Sequence, residues 1–240
     1  MELEKPFMLD KNGLYYLDPK TKIEEIFIND FNKNSNNRVS FYKIDGIDNY
    51  IIKDCTLYPY FFNRLRNMNL LKELVKRQDQ FDNIDFPVAY YERLKMLKGI
   101  VIPYYEEAIT VRKLITFHYF GDLINYYCHD SNEMDNFICM LLDILTLIRI
   151  MYEKGIHYID PNTGNFLVYN NIMKVIDFEP NYVFFDKNYD KHMQSTLRRF
   201  GEMVNYILLR FGFKNVVFYV GRDFSNTEKN ILELRKRLER

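Results

Sequence analysis

Apolar and polar positions alternate in short runs over the first hundred residues, and turn residues separate the runs. Residues 7–9 and 14–17 flank Asn12-Gly13, and residues 39–44 and 47–52 flank Asp45-Gly46. Both dipeptides tolerate the left-handed backbone that a tight hairpin turn demands, so the pattern predicts two β-hairpins. Residues 25–29, 86–91 and 100–104 are three more strand candidates, rich in β-branched and aromatic side chains. Between them, residues 60–78 change period. Met68, Leu71 and Val75 recur at spacings of three and four, as do Leu70 and Leu74, which predicts an amphipathic helix.

The second half is patterned mainly as helices. Asp130 or Ser131 is placed to cap a helix running to about Lys154, where Gly155 stops it. Apolar residues occupy most faces of that segment, so it should be buried. A second helix is expected over 194–211. It carries Leu197, Phe200, Val204, Ile207, Leu208 and Phe211 on one face, with Gly212 after it. A third opens at Ser225-x-x-Glu228, which has the form of a capping box, and closes on a basic run from Arg235 that suits the helix C-terminal dipole. Between the first two of these helices, residues 165–169 and 173–176 form two short strands joined by Asn170-Asn171.

Composition narrows the class. The chain has 240 residues, 48% of them apolar, and a formal net charge of zero. Such a balance argues against a polybasic nucleic-acid surface. Cys55, Cys128 and Cys139 show no paired spacing, so neither a zinc site nor a disulfide framework is expected, and a reducing, cytoplasmic setting is the expectation. The most apolar segment, 137–151, is interrupted by Asp143, Thr146 and Arg149 and is too short to span a bilayer.

The candidate chemistry lies where the helical pattern gives way to the short strands. Asp160 is followed five positions later by Asn165, and Asp177 follows twelve positions after that, at the end of an apolar run and before Phe178. Two carboxylates and an amide at strand ends suit phosphoryl transfer. One Asp accepts the proton of an attacking hydroxyl, while an Asn and a second Asp hold magnesium ions against nucleotide phosphates. A calcium loop starting at Asp160 fails, because Gly164, Asn165 and Asn171 stand where its geometry needs other residues. The plain alternative is a polar turn between a buried helix and a hairpin.

These residues resemble the catalytic and metal-binding loops of the protein kinase-like superfamily, over about residues 24–211. The resemblance implies an α+β, two-lobed kinase-like fold: an antiparallel-sheet N-lobe with one helix over residues 1–104, and a mainly helical C-lobe over 105–240. It implies ATP and Mg2+ as cofactors, Asp160 as catalytic base, and Asn165 and Asp177 as metal ligands. Lys53, at the end of Tyr50-Ile51-Ile52-Lys53, would reach the α- and β-phosphates. Glu73, the first carboxylate after Asp54, would fix Lys53. The strand Ile100-Val101-Ile102-Pro103-Tyr104-Tyr105 resembles the approach to the kinase hinge. There Ile102 would back the adenine pocket, and backbone groups of Pro103, Tyr104 and Tyr105 would meet the adenine edge.

The chain departs from the family in five respects. No glycine-rich loop is present between Glu24 and Ile44; the candidate turn is 30–38, with Lys33, Ser35 or Arg38 as possible phosphate contacts. Ile159 replaces the Arg that precedes the catalytic Asp in many kinases. Asn162 stands where protein-serine kinases usually carry Lys, and Asp160-Pro161-Asn162-Thr163-Gly164-Asn165 is closer to the loops of atypical and aminoglycoside-type kinases. Glu179 replaces the Gly after Asp177-Phe178. No Ala-Pro-Glu follows, and the segment before the next helix is short, with Tyr182, Phe184, Phe185 and Tyr189 in it. The expected activity is therefore a phosphotransferase, nominally serine/threonine protein kinase-like, with a protein or small-molecule hydroxyl acceptor. A pseudokinase that binds nucleotide or scaffolds without turnover is the rival. Transfer of AMP from a reversed ATP needs the same residues and stays open.

Overall fold

The computed structural model describes residues 5–11, 13–26, 40–54, 64–77, 80–81, 83–93, 96–117, 120–129, 132–178, 183–185 and 189–239. It is mixed α and β, and it divides into two compact units, Met1–Glu106 and Glu107–Arg240.

The first unit is built on one seven-stranded sheet. Its strands are β1 (Phe7–Leu9), β2 (Tyr15–Leu17), β3 (Ile23–Ile26), β4 (Ser40–Ile44), β5 (Ile47–Asp54), β6 (Ala89–Arg93) and β7 (Met96–Pro103), with helix α1 (Arg64–Val75) between β5 and β6. The order is β1-β2-β6-β7-β5-β4-β3. All pairs are antiparallel except β2–β6, which is parallel through Tyr16 and Tyr90. Both expected hairpins are present, and Gly13 and Gly46 each take φ +76° in the turns. The first hairpin does more than the alternation indicated, since it extends the sheet beyond β6. Strand β3 starts at Ile23, earlier than the expected 25, and residues 27–39 lie outside the described residues.

Register sorts the side chains to two faces, because neighbours directly opposite one another point the same way. Tyr90, Ile100, Lys53 and Phe41 form one row across β6, β7, β5 and β4, and Ala89, Val101, Ile52 and Tyr42 form the next row on the other face. The second face carries the larger core, in which Leu17, Ile44, Ile52, Val88, Ala89 and Val101 are buried. On the first face α1 lays Leu71 against Leu14 and Tyr90, and Phe41 and Ile51 form a separate cluster bordered by Ile102 and Tyr104. Gly99 is required by backbone packing: a Cβ there would stand 2.3 Å from the Lys53 carbonyl oxygen.

The second unit contains β8 (Ile109–Thr110), α2 (Val111–Phe117), a 3-10 turn at Phe120–Asn125, α3 (Glu133–Glu153), β9 (His157–Tyr158), β10 (Phe166–Tyr169), β11 (Ile172–Val175), β12 (Val183–Phe184), α4 (Tyr189–Arg210) and α5 (Phe224–Leu238). The strands form small sheets, β11-β10-β8 and β12-β9. Helix α3 is the hub. Phe137, Met140, Leu141, Ile144, Ile148 and Met151 are all fully buried, each worth about 1.5–3 kcal/mol of apolar transfer. Asn132 caps it, its Oδ1 accepting from the backbone N–H groups of Met134 and Asp135 at 2.8 and 3.3 Å. The expected caps, Asp130 and Ser131, lie outside the described residues. Gly155, at φ +74°, follows the helix end as expected.

Helix α4 buries Leu197, Phe200, Val204, Ile207 and Leu208, the face read from the sequence, but starts earlier, at Tyr189. Helix α5 also starts earlier than its apparent capping box. Its cap is Asp223, whose carboxylate accepts from Asn226 N at 2.8 Å, so Ser225 and Glu228 sit inside the first turns. An Asp is as good an N-cap as Ser, and this placement lets Phe224 enter the core. Among the described residues no helix is long and apolar enough to cross a membrane.

Candidate active site

The chain leaves β9 at Tyr158 and returns into β10 at Phe166, and the seven residues between make a closed, internally bonded loop. Asn162 organises it. Its Oδ1 accepts from Gly164 N at 2.9 Å, an Asx turn, and its carbonyl accepts from Asn165 N at 3.0 Å. Its Nδ2 donates to Asp160 Oδ2 at 3.1 Å. Asn165, 6% exposed, donates from Nδ2 to the Tyr158 hydroxyl at 2.6 Å, to the Asp160 carbonyl at 3.1 Å and, at the long limit of 3.5 Å, to Asp160 Oδ2. All of these use the amide nitrogen. Asn165 Oδ1 is therefore left as an acceptor among the described residues.

Two helices anchor the loop from outside. In α4, Thr196 Oγ1 donates to the Tyr158 carbonyl at 2.8 Å. The Thr196 proton is thereby used, so Tyr152 of α3 is the donor in the 2.6 Å contact between their hydroxyls. Two buried hydrogen bonds thus run in series from α3 through α4 to the carbonyl that precedes the loop. One turn further along α4, Arg199 Nη1 donates to Asp160 Oδ1 in an ion pair; the two side chains are 35% and 20% exposed. From α2, Arg112 N donates to the Thr163 carbonyl at 2.8 Å and Arg112 Nη2 approaches Asn162 Oδ1 at 3.4 Å. Gly164 makes room for that guanidinium, since a Cβ there would lie 3.0 Å from Nη2.

The hairpin β10–β11 brings Asp177 back to this loop. Its turn residues Asn170 and Asn171 take φ +49° and +62°, the paired left-handed backbone of a tight hairpin turn. At the open end Ile176 N donates to the Asn165 carbonyl at 2.9 Å, so Asp177 leaves the hairpin beside Asn165. Asp177 itself has φ +68°. That conformation costs a non-glycine residue energy and is held here on one side by the hairpin and on the other by buried Phe178, whose ring lies 5.5 Å from that of Tyr158. The structure therefore brings Asp160, Asn165 and Asp177 together. Glu179 lies outside the described residues.

A magnesium ion fits this donor set by its chemistry. Magnesium takes oxygen ligands, commonly one or two carboxylates plus phosphates and waters, and the Asp177 carboxylate with Asn165 Oδ1 offers that minimum. Among the described residues no cluster of three or more His, Cys, Asp or Glu forms a self-sufficient metal cage. Any ion here would need further ligands from phosphates or water.

In the first unit, Lys53 is 5% exposed on β5, on the sheet face shared with Phe41, Ile51, Ile102 and the α1 contact. Glu73 differs from expectation. Its carboxylate is engaged by Lys76 at 3.2 Å and Arg77 at 3.7 Å, both in the turn that follows α1, and its side chain is 39% exposed. The expected Lys53–Glu73 pair is thus replaced by local pairs one turn along, for which the helical spacing is ideal. Pro103 ends β7, and Tyr104 N donates to the Asn49 carbonyl at 2.9 Å. Tyr104 therefore commits its donor to the sheet, while the Tyr105 hydroxyl donates to Asp85 at 3.0 Å. The candidate phosphate turn with Lys33, Ser35 and Arg38 lies outside the described residues.

Where it is described, the aromatic segment after Asp177 packs in part on its own unit, with Phe184 half-buried and Tyr189 still 39% exposed. Phe184 stacks on His192 at 4.5 Å, and Tyr189 meets Tyr152 and His157 edge-on at 5.5 and 5.7 Å. Sequence reasoning missed Arg199, Arg112 and Thr196. No motif marks them, and only the packing of α2 and α4 against the loop reveals their roles. No protein-family model matches the sequence, and no curated protein matches it.

Proposed function

We propose that the chain is an ATP- and magnesium-dependent phosphotransferase of the protein kinase-like superfamily, nominally of the serine/threonine type, acting on a hydroxyl of a protein or small molecule. The observation that carries this reading is the joint placement of Asp160, Asn165 and Asp177: a carboxylate fixed by donors, an amide with its oxygen available, and a second carboxylate on a left-handed backbone beside it. Supporting it, strands β3, β4, β5, β7 and β6 lie side by side in that order, with one helix between β5 and β6 and a buried lysine on β5. An antiparallel-rich sheet with one helix is what the resemblance implies for the N-lobe.

In this reading Asp160 accepts the hydroxyl proton as the acceptor oxygen attacks the γ-phosphorus. Asn165 Oδ1 and the Asp177 carboxylate would hold magnesium, which when bound neutralises charge on the nucleotide phosphates. Lys53 contributes charge to the α- and β-phosphates. Since Tyr104 N is bonded to Asn49, the adenine edge would be read by the Pro103 carbonyl and by groups at Tyr105, against Ile102.

A nucleotide-binding module without turnover is the second reading, favoured by the engagement of Glu73 with Lys76 and Arg77. Parallel incubation with γ- and α-labelled ATP separates these readings. The expected result is transfer of the γ-label, abolished in Asp160→Ala. Transfer of the α-label would mean AMP transfer. Magnesium-dependent ATP binding with no transfer of either label would establish the second reading, and absence of nucleotide binding would overturn both.

A further inference from the structure

Both polar atoms of the Asn162 side chain are bonded, and the partners dictate which way its amide faces. Its Oδ1 receives two donors, Gly164 N at 2.9 Å and Arg112 Nη2 at 3.4 Å. Its Nδ2 turns to two acceptors, Asp160 Oδ2 at 3.1 Å and the Asp160 carbonyl at 3.4 Å. Resting on the phosphotransferase reading above, we propose that Asn162 is a positioning residue for this reaction: it holds the Asp160 carboxylate by Oδ2 and so leaves Oδ1 as the oxygen that accepts the proton.

Three observations support this. First, the amide is locked in one orientation. Turned over, it would set its NH2 against two donors and its oxygen against a carboxylate. Second, Asn162 is the main donor to Oδ2. Asn165 also reaches that oxygen, but its Nδ2 has two protons and three acceptors. It meets the Tyr158 hydroxyl at 2.6 Å and the Asp160 carbonyl at 3.1 Å, and Oδ2 only at 3.5 Å. Third, the lock depends on a glycine. A Cβ at Gly164 would stand 3.2 Å from Asn162 Oδ1 and 3.0 Å from Arg112 Nη2, crowding the oxygen and one of its donors together.

The two carboxylate oxygens then have different duties. An ionised carboxylate oxygen offers about two acceptor sites. Those of Oδ2 are taken by the two amides, whereas Oδ1 meets Arg199 and, among the described residues, no other donor. The acceptor oxygen forms its bond to the γ-phosphorus as the bond from that phosphorus to the β,γ-bridging oxygen breaks, and that electron pair leaves on ADP. The hydroxyl proton passes to the remaining site on Asp160 Oδ1. Fixing the carboxylate plane acts on this step through orientation, so it raises kcat and leaves nucleotide affinity alone.

The test uses the full-length protein in four forms: wild type, Asn162→Ser, Asn162→Asp and Asp160→Ala. Ser and Asp each keep an oxygen that accepts from Gly164 N, so the turn still closes. Neither keeps the amide donor. The Ser hydroxyl is one atom too short to reach Oδ2 from that turn, and Asp sets a second anionic oxygen against it. Calorimetry measures Mg-ATP affinity, and γ-labelled ATP gives kcat and KM for release of phosphate to water, with label on the protein itself counted alongside. Asn162→Ser should lower kcat about tenfold and Asn162→Asp about 10²-fold or more, toward the floor set by Asp160→Ala. KM for ATP, Mg-ATP affinity and melting temperature should stay near wild type in both.

Wild-type kcat in either Asn162 variant would overturn the proposal and leave Asn162 a turn residue only, with the phosphotransferase reading intact. So would a loss of kcat matched by an equal loss of Mg-ATP affinity or by collapse of the melting temperature in both variants, since the role would then be structural. If wild type binds Mg-ATP but moves label neither to water nor to itself, the nucleotide-binding reading stands and this proposal falls. If wild type binds no magnesium nucleotide, the phosphotransferase reading itself fails and takes this proposal with it.

Discussion

Asp160 is held by three residues from two parts of the chain: Asn162 and Asn165 of its own loop, and Arg199 of α4. Asp177 is held differently, by backbone conformation and by the strand that delivers it. Their losses should therefore differ. Asp177→Ala should weaken magnesium-dependent nucleotide binding. Asp160→Ala should leave that binding nearly unchanged and lower transfer by about 10²–10⁴-fold. Equal loss of ATP affinity in the two variants, measured by calorimetry, would show that these roles are misassigned. Glu73 makes a second contrast. Because Lys76 and Arg77 engage it at an exposed helix face, Glu73→Gln should change stability by no more than about 0.5 kcal/mol. If the active form nevertheless needs a Lys53–Glu73 pair, Glu73→Gln and Lys53→Met should each cut turnover, and their double variant should fall no further than the worse single one. Full turnover in Glu73→Gln would instead show that the local pairs are its whole role.

At the scale of elements, the site depends on segments whose ends are fixed by single side chains. The β10–β11 turn shows why local preference alone misleads. Asn170 and Asn171 both adopt left-handed backbone, where glycine is cheaper. Asn171, however, also clasps Cys128: its Oδ1 accepts from Cys128 N and its Nδ2 donates to Cys128 O, both at 2.6 Å. Asn171→Gly should therefore lower the melting temperature although its φ is ideal for glycine, while Asn170→Gly should be neutral or stabilising. The reverse ranking in thermal melts would mean that backbone strain outweighs the clasp. Removing the α3 cap with Asn132→Ala should cost about 1 kcal/mol in denaturant unfolding. Such elements were largely legible from the sequence. The apolar period of α4 and the Asn-Gly and Asp-Gly turns are local signals, and local signals survive without tertiary information. The caps at Asn132 and Asp223 were missed because Asp, Ser and Asn crowd both helix starts, and only backbone geometry selects among them. The Asp160–Asn165–Asp177 set was legible because a short hairpin joins its members. Arg199 and Thr196 were not, since their contacts depend on how α4 lies against the loop. The engagement of Glu73 seen here was hidden for a related reason: sequence spacing cannot weigh a distant lysine against two cations only three and four positions away.

Across the whole molecule, the anchoring of the loop converges on buried phenols in the unit that holds Asp160. Tyr152 is fully enclosed, stacks on His157 at 4.9 Å and meets Phe224 and Tyr189 edge-on, and its hydroxyl donates to Thr196. Tyr127 is likewise enclosed and bonds to the Asp143 carboxylate. Burial pushes both phenols far above the ordinary tyrosine range, and for Tyr127 the Asp143 carboxylate adds to the rise. In the first unit, burial raises Tyr42 and Tyr50 in the same direction. The sign of the consequence is fixed by proton linkage. An unfolded tyrosine ionises near pH about 10, whereas these folded phenols keep their protons above it. The folded state then binds more protons than the unfolded one, so stability falls as pH rises. Their contribution is fully present below pH about 10 and drains away as pH climbs from there toward the folded values. Tyr152→Phe removes one such group while leaving Thr196 to donate to the Tyr158 carbonyl. Its stability at neutral pH should drop by about 1 kcal/mol for the lost hydrogen bond, but its decline between roughly pH 10 and 12 should be shallower than that of wild type. Urea midpoints measured across that range decide the matter, with the slope as the readout. Parallel declines in the two proteins would show that Tyr152 ionises as easily in the folded chain as in the unfolded one, and that the loop does not hang from a buried, neutral phenol.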